Sequence, residues 1–285
     1  MLVTRTSRFT ILGLALLFAI CLVSRGLAKE DGFTTIDVPG ASSTQAFGIN
    51  PQGNIVGTYS NATGDHGFLL SKGAFTTIDV PVFTLSTFVS GINAEGDMVG
   101  EYFTGSSRFH GFLLSKSAFT TIDGPGITAG ASGINPQGDI VGFYVSPFPR
   151  ITHGFLLSKG AFSTIDVPGA SGTVAFGINA EGDIVGTYSD ATGFHGFLLR
   201  NGAFTTIDGP SAVFTQASGI NPEGDVVGFY SNATGLHGFL LSKGAFTTID
   251  VPGAFSTQAM GINPKGDIVG IYSNGVVEHG FLLSK

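Results

Sequence analysis

Apolar and polar positions in this chain alternate in short bursts separated by glycine, and one such pattern returns six times. The last copy, residues 244–285, reads G-A-F-T-T-I-D-V-P-G-A-F-S-T-Q-A-M-G-I-N-P-K-G-D-I-V-G-I-Y-S-N-G-V-V-E-H-G-F-L-L-S-K. Its Phe246 has counterparts at Phe33, Phe75, Phe119, Phe162 and Phe204, so the spacings are 42, 44, 43, 42 and 42 residues. Periods of this length belong to repeated β modules that stack into a continuous core. The pattern within a module predicts four short strands, and no window keeps a helical period.

In the first module the segment through G-I-N, residues 45–50, predicts strand one, and N-I-V-G-T-Y, residues 54–59, predicts strand two. Asn50-Pro51-Gln52-Gly53 between them is a hairpin signal: proline presets φ for a type I turn and glycine takes the left-handed position. H-G-F-L-L-S and A-F-T-T-I-D predict strands three and four, joined by Lys-Gly, by Asn201-Gly202 in one copy and by Lys116-Ser117 in another. A two-residue type I′ turn fits this pair, with some strain where serine replaces glycine.

Apolar side chains fall on both faces of these strands, as in Ile55 with Val56 or Phe68 with Leu69, so both faces must be covered. Radially stacked sheets do this, and the small residues of the first strand (Ala46, Gly48) suit a crowded centre. The repeat region begins with a lone strand-four segment, residues 32–37, and finishes on a strand-three segment, residues 279–284. Pairing the two leaves no half-module unpartnered. The expected fold is therefore all-β: one six-bladed β-propeller of four-stranded antiparallel blades over residues 29–285, closed by those terminal strands. Its repeats run at about 32–72, 73–116, 117–159, 160–201, 202–243 and 244–285.

Residues 1–28 are unlike the rest. Arg5 and Arg8 precede an apolar run of 15 residues, Phe9 to Val23, and Gly26-Leu27-Ala28 supplies small residues for cleavage, which reads as a secretory signal peptide. The run is too short for a spanning helix, so the expected location is secreted or periplasmic, with no membrane insertion of the mature chain. Cleavage would remove Cys21, the one cysteine, and three arginines, taking the formal net charge from −7 to −10. Thiol and disulfide chemistry are then excluded, and diffuse acidity without a basic stripe argues against nucleic acid. With 12% charged residues and a mean hydropathy of +0.34 the chain is too apolar for disorder.

The recurring A-x-G-I-N-x-x-G-D-I-V-G-x-Y followed by H-G-F-L-L resembles the HAF-type extracellular repeats of bacteria, over residues 32–285. Here glycine replaces the alanine that gives those repeats their name, and leucine stands where tryptophan is often found. The resemblance implies an exported bacterial β-repeat protein and brings no activity or catalytic residue with it.

Each module has one histidine. Counting back from a two-residue turn places His66 opposite Asp79, and likewise His110 opposite Asp123, His153 opposite Asp166, His195 opposite Asp208, His237 opposite Asp250 and His279 opposite Asp37. Hydrogen-bonded pairs that pin the hairpin are expected; one imidazole per blade gives no metal cluster. The aspartates of G-D-I-V (Asp97, Asp139, Asp183, Asp225, Asp267) are expected to accept backbone N–H bonds in their turn. That turn is too short for a calcium loop, no helix follows it to cradle a phosphate, and the repeated acids are not placed as a glycosidase pair. Six near-equivalent modules offer the same groups in six separated places, whereas an enzyme needs different groups converging on one atom. The chain is read as a non-enzyme without cofactor or metal.

Length and composition vary in two places only: between strand four and the next strand one, and before the histidine. Both connections emerge on the same end of an up-and-down blade, where a rigid scaffold places recognition. The expectation is a monomeric binding or scaffolding module whose partner is an extracellular protein or glycan. The alternatives are a multivalent lectin and a purely structural surface protein. Candidate contact residues are Phe103, Phe109, Phe148, Phe194, Phe214 and Phe255, with Phe83 beside them. Their irregular spacing counts against six identical sugar sites.

Overall fold

The computed structural model describes residues 29–30, 32–82, 84–105 and 108–285, so the expected leader and Phe83 lie outside the described residues. Among the described residues there are twenty-five strands and no helix. In the first module the strands are Ser43–Ile49, Ile55–Asn61, Gly64–Ser71 and Ala74–Ile78, each antiparallel to the one before it. Ser71 faces Ala74, and Lys72 (φ 50°) and Gly73 (φ 79°) are both left-handed, the geometry of a two-residue type I′ turn. Ser117 adopts the same conformation (φ 66°) with a side chain attached, a strain that glycine avoids. The first strand carries a bulge between Ala46 and Gly48 that recurs in every module. It adds one residue, which increases the local twist.

Packing follows from one large residue against one missing side chain. Phe68, Phe112, Phe155, Phe197, Phe239 and Phe281 are fully buried, each contributing about 2 kcal/mol of transfer free energy. Across from Phe68 stands Gly57, where a Cβ would lie 1.9 Å from the Gln45 carbonyl oxygen and 2.8 Å from the Phe68 ring. The glycine of I-V-G is thus the space into which the phenylalanine of H-G-F fits. Apolar clusters form between consecutive modules; Val56, for example, packs with Val89, Ile92, Met98 and Phe112 of the next.

At the termini, Phe33–Ile36 pairs antiparallel with Glu278–Leu283, Phe33 opposite Leu283 and Ile36 opposite Gly280. One cluster joins Ile36 and Val269 of the last module to Ala46, Ile49, Ile55 and Phe68 of the first. Gln45 Nε2 also donates to the Glu278 carboxylate. The hydrogen-bonded sheets depart from one four-stranded sheet per module in two respects. Lys29–Glu30 pairs with residues 33–34 and makes the last sheet five-stranded. Single parallel bridges, Asp65 to Ser86 and Phe194 to Phe214, merge neighbouring modules into two eight-stranded sheets. The bridges arise where a third strand starts beside the next first strand, close enough for backbone bonds. No sheet closes on itself through hydrogen bonds among the described residues.

Candidate functional site

Each module has a turn end, where strand one passes to two and three to four, and a loop end, where two passes to three and four to the next module. The histidines stand at the loop end. In the first module Tyr59 on the second strand lies opposite His66 on the third, their rings 5.3 Å apart, and the other five pairs are 5.0 to 5.4 Å apart. His66 Nδ1 is 3.0 Å from the Asp79 carboxylate; His110 meets Asp123 at 2.7 Å, His153 Asp166 at 2.9 Å, His195 Asp208 at 2.9 Å, His237 Asp250 at 3.0 Å and His279 Asp37 at 3.0 Å. The tyrosine hydroxyl bonds a threonine of the outer strand, as Tyr59 to Thr77 at 2.9 Å and Tyr272 to Thr35 at 2.9 Å. Tyrosine, histidine, aspartate and threonine thereby tie strands two, three and four together. The aspartates remain 42 to 66% accessible, so these are half-solvated pairs. Among the described residues no three histidine, cysteine or carboxylate side chains group as a metal site.

The loops differ around this frame. In Asn61-Ala62-Thr63, Asp190-Ala191-Thr192 and Asn232-Ala233-Thr234 the threonine hydroxyl lies 2.8 Å from Nε2 of the histidine. Asp190 replaces asparagine, and the Thr192 hydroxyl and N–H hold its carboxyl below the usual carboxylate range.

At the turn end the expected role of the G-D-I-V aspartates is corrected. The asparagine of G-I-N does that work: Asn50 Oδ1 accepts the N–H groups of Gln52 (3.1 Å) and Asn54 (2.9 Å). The aspartates mostly accept instead from that asparagine's Nδ2, as Asp267 from Asn263 at 3.0 Å, and Asp183 also takes Arg200 at 2.7 Å. The same asparagines reach the next module: Asn50 Nδ2 donates to the Asn93 carbonyl at 3.1 Å, Asn93 to Asn135 at 3.4 Å and Asn179 to Asn221 at 3.2 Å. Sequence reasoning missed this ladder; the signal was an asparagine kept in all six copies where proline before the turn glycine was not.

Glu101 was also missed. It occupies a second-strand position filled by Thr58, Phe143, Thr187, Phe229 and Ile271 elsewhere. Burial pushes its carboxyl up to about 7, and Oε2 has no hydrogen-bond partner among the described residues. Gly130 of the next module makes the room: a Cβ there would lie 2.4 Å from Oε2.

The candidate phenylalanines are not one site. Phe103 and Phe109 stack at 5.2 Å, and Phe214 lies 5.6 Å from both Phe194 and Phe229, while Phe148 and Phe255 stand alone, 92% and 79% exposed. Aliphatic residues left out of the sequence reading, Val82, Leu85, Val213 and Val276, are exposed at the same end. A cavity of about 250 Å³ there is lined by Thr63, Asp65, His66, Asp79, Val82 and Leu85.

No protein-family description matches the sequence, and no curated protein matches it. Solved structures do match in fold. The β-propeller domain of the Trilobed protease from Pyrococcus furiosus, described as having an open velcro topology, aligns with a TM-score of 0.55 at 10% identity, covering 88% of this chain and 86% of that one. The Aleuria aurantia lectin, in complex with Fucα1-6GlcNAc, gives 0.53 at 11%, covering 85% and 91%. A streptogramin B lyase gives 0.51 at 13%, covering 88% and 96%. A lectin and a lyase at such identities share an architecture with this chain and nothing further. The fold is a β-propeller.

Proposed function

We propose that this β-propeller is a secreted, non-catalytic binding module of six blades, closed by its own first strand, that engages an extracellular partner through its loop end. Three features support closure. Phe33–Ile36 pairs with Glu278–Leu283, the first and last modules share an apolar cluster, and a Cβ on Gly261 would meet Gly48 at 3.3 Å, the same approach that Gly48 makes to Gly91.

The observation that carries the binding role is the placement of exposed apolar side chains. Of the nine large ones among the described residues, all but Phe162 stand at the loop end. Exposed apolar side chains concentrated on the variable connections of a rigid scaffold favour that end as the place of recognition. The repeated tyrosine, histidine and aspartate frame offers the same half-solvated groups six times over, which suits a scaffold better than a reaction centre. Glycan binding is a second reading, favoured by the cavity beside His66, whose carboxylates Asp65 and Asp79 could accept from sugar hydroxyls.

Protein and glycan arrays probed with the wild type, a Phe148→Ser, Phe255→Ser variant and a turn-end Lys72→Ala, Lys243→Ala variant test this reading. Binding should be lost in the loop-end variant and kept in the turn-end one. Binding unaffected by the loop-end changes would overturn the reading, and blank arrays would favour a purely structural protein.

A further inference from the structure

The two ends of the modules carry different charge. The lysines of the Lys-Gly turns, with Arg200, Lys265 and Lys285, stand at the turn end, balanced by the G-D-I-V aspartates and by Glu95, Glu181 and Glu223. At the loop end Arg108 and Arg150 are the only described lysine or arginine residues. Against them stand the six aspartates paired with histidine, together with Asp65, Asp190 and Glu278. The paired aspartates keep 42 to 66% of their side-chain surface accessible, so their carboxylates face whatever docks there. The apolar tips rise from the same acidic ground: Phe148 is 92% exposed, Val276 89%, Phe255 79% and Val213 75%. They come from four different connections, so one ligand touching several of them must be extended.

We infer that the loop end docks a cationic, amphipathic polypeptide, its apolar side chains meeting Phe148, Val213, Phe255 and Val276 and its lysines or arginines meeting the surrounding aspartates. This rests on the proposal that the loop end binds at all, and it names the class of partner. Exposed aromatic tips are the residue type that anchors interfaces, and opposite charge around them steers association and sets the partner's sign. Acidic polysaccharide, nucleic acid and anionic membrane surfaces are repelled by the same field. A neutral sugar would gain nothing from it.

The test uses the full chain and fluorescence anisotropy with three labelled helical peptides: leucine and lysine in amphipathic order, leucine and glutamate in the same order, and polylysine. The first should bind, the second should not, and the third should bind more weakly. Raising salt from about 0.05 M to about 0.5 M should weaken the first at least tenfold, since exposed charges are then screened. Phe148→Ser with Phe255→Ser should weaken it about tenfold or more without moving the unfolding midpoint, both side chains being exposed. Equal binding of lysine and glutamate peptides, or a lysine-peptide affinity untouched by the serine variant, would overturn the partner class. Capture of a neutral glycan that the serine variant abolishes would also overturn it, while leaving the loop-end reading standing. If the serine variant alters no binding of either kind, the loop-end reading itself fails.

Discussion

The turn end and the loop end are closed off by opposite means from the same four strands. At the turn end Asn50 and its counterparts hold their own backbone, and Asn50, Asn93, Asn135 and Asn179 also reach the neighbouring module's carbonyl from positions about 1 to 4% exposed. At the loop end the histidine and aspartate pairs bond within one module and leave the aspartates about half solvated. A buried bond between modules joins the assembly, whereas a solvated one inside a module only trims a hairpin. Variation between copies therefore costs little at the loop end and much at the turn end.

The largest effect should come from removing what joins the two termini. Deleting residues 32–37 takes the partner from Glu278–Leu283 and Ile36 from the shared cluster, exposing a strand edge and apolar surface. Loss of a single cooperative unfolding transition, or aggregation, is the expected result in a denaturant titration. A deletion as stable and soluble as the parent would remove the proposed closure.

Glu101 belongs to neither end: it is a carboxyl midway along the strand Met98–Phe103, in the seam between modules. Its ordinary value is 4.5 and burial raises it to about 7. Below about 4.5 it is neutral in both folded and unfolded chains and carries no penalty. As pH rises from there to about 7 the unfolded chain ionises first, so stability falls, by up to about 3 kcal/mol. Glu101→Gln should remove that fall, and unfolding midpoints of both proteins across this window measure it. Parallel pH profiles would mean that Glu101 is solvated.

Asn179→Ala should cost about 1 to 3 kcal/mol, since Oδ1 holds the N–H groups of Glu181 and Asp183 and Nδ2 reaches Asn221. His195→Ala should cost less, about 0.5 to 1.5 kcal/mol, because Asp208 keeps 49% of its side-chain surface in water and can be rehydrated. Chemical denaturation of the two variants side by side checks the ranking; a larger loss for His195 would reverse the comparison between the ends. Phe255→Ser, at a 79% exposed tip, should change stability by less than about 0.5 kcal/mol.

What the sequence made legible was local. Lys-Gly sets a two-residue turn, and that turn determines which residues face each other along strands three and four, so the register that carries His66 beside Asp79 can be counted. The opposition of Gly57 and Phe68 obeys the same short-range logic, although it was not read. Contacts between modules are not visible in this way. Asn50 reads as the end of a strand until the neighbour that supplies the Asn93 carbonyl is in place. Asp65 meets Ser86 only because two modules converge at the loop end. Glu101 looks like a surface residue in a varied position, and its burial depends on Gly130 in the next module lacking a side chain. Val213 and Val276 carry no aromatic signal, and their exposure on the same loops is visible only in the structure.

In the proposed ring every module presents its loops between two neighbours, so the contrast between the ends rests on closure. Native-state hydrogen exchange of the Phe33–Ile36 amides bonded to Glu278–Leu283 tests it most directly. In the proposed ring they exchange only through global unfolding, at the same free energy as the amides of Ile140–Val145 in the third module. Exchange of residues 33–36 through a local opening several kcal/mol below that value, with Ile140–Val145 still protected, would contradict it.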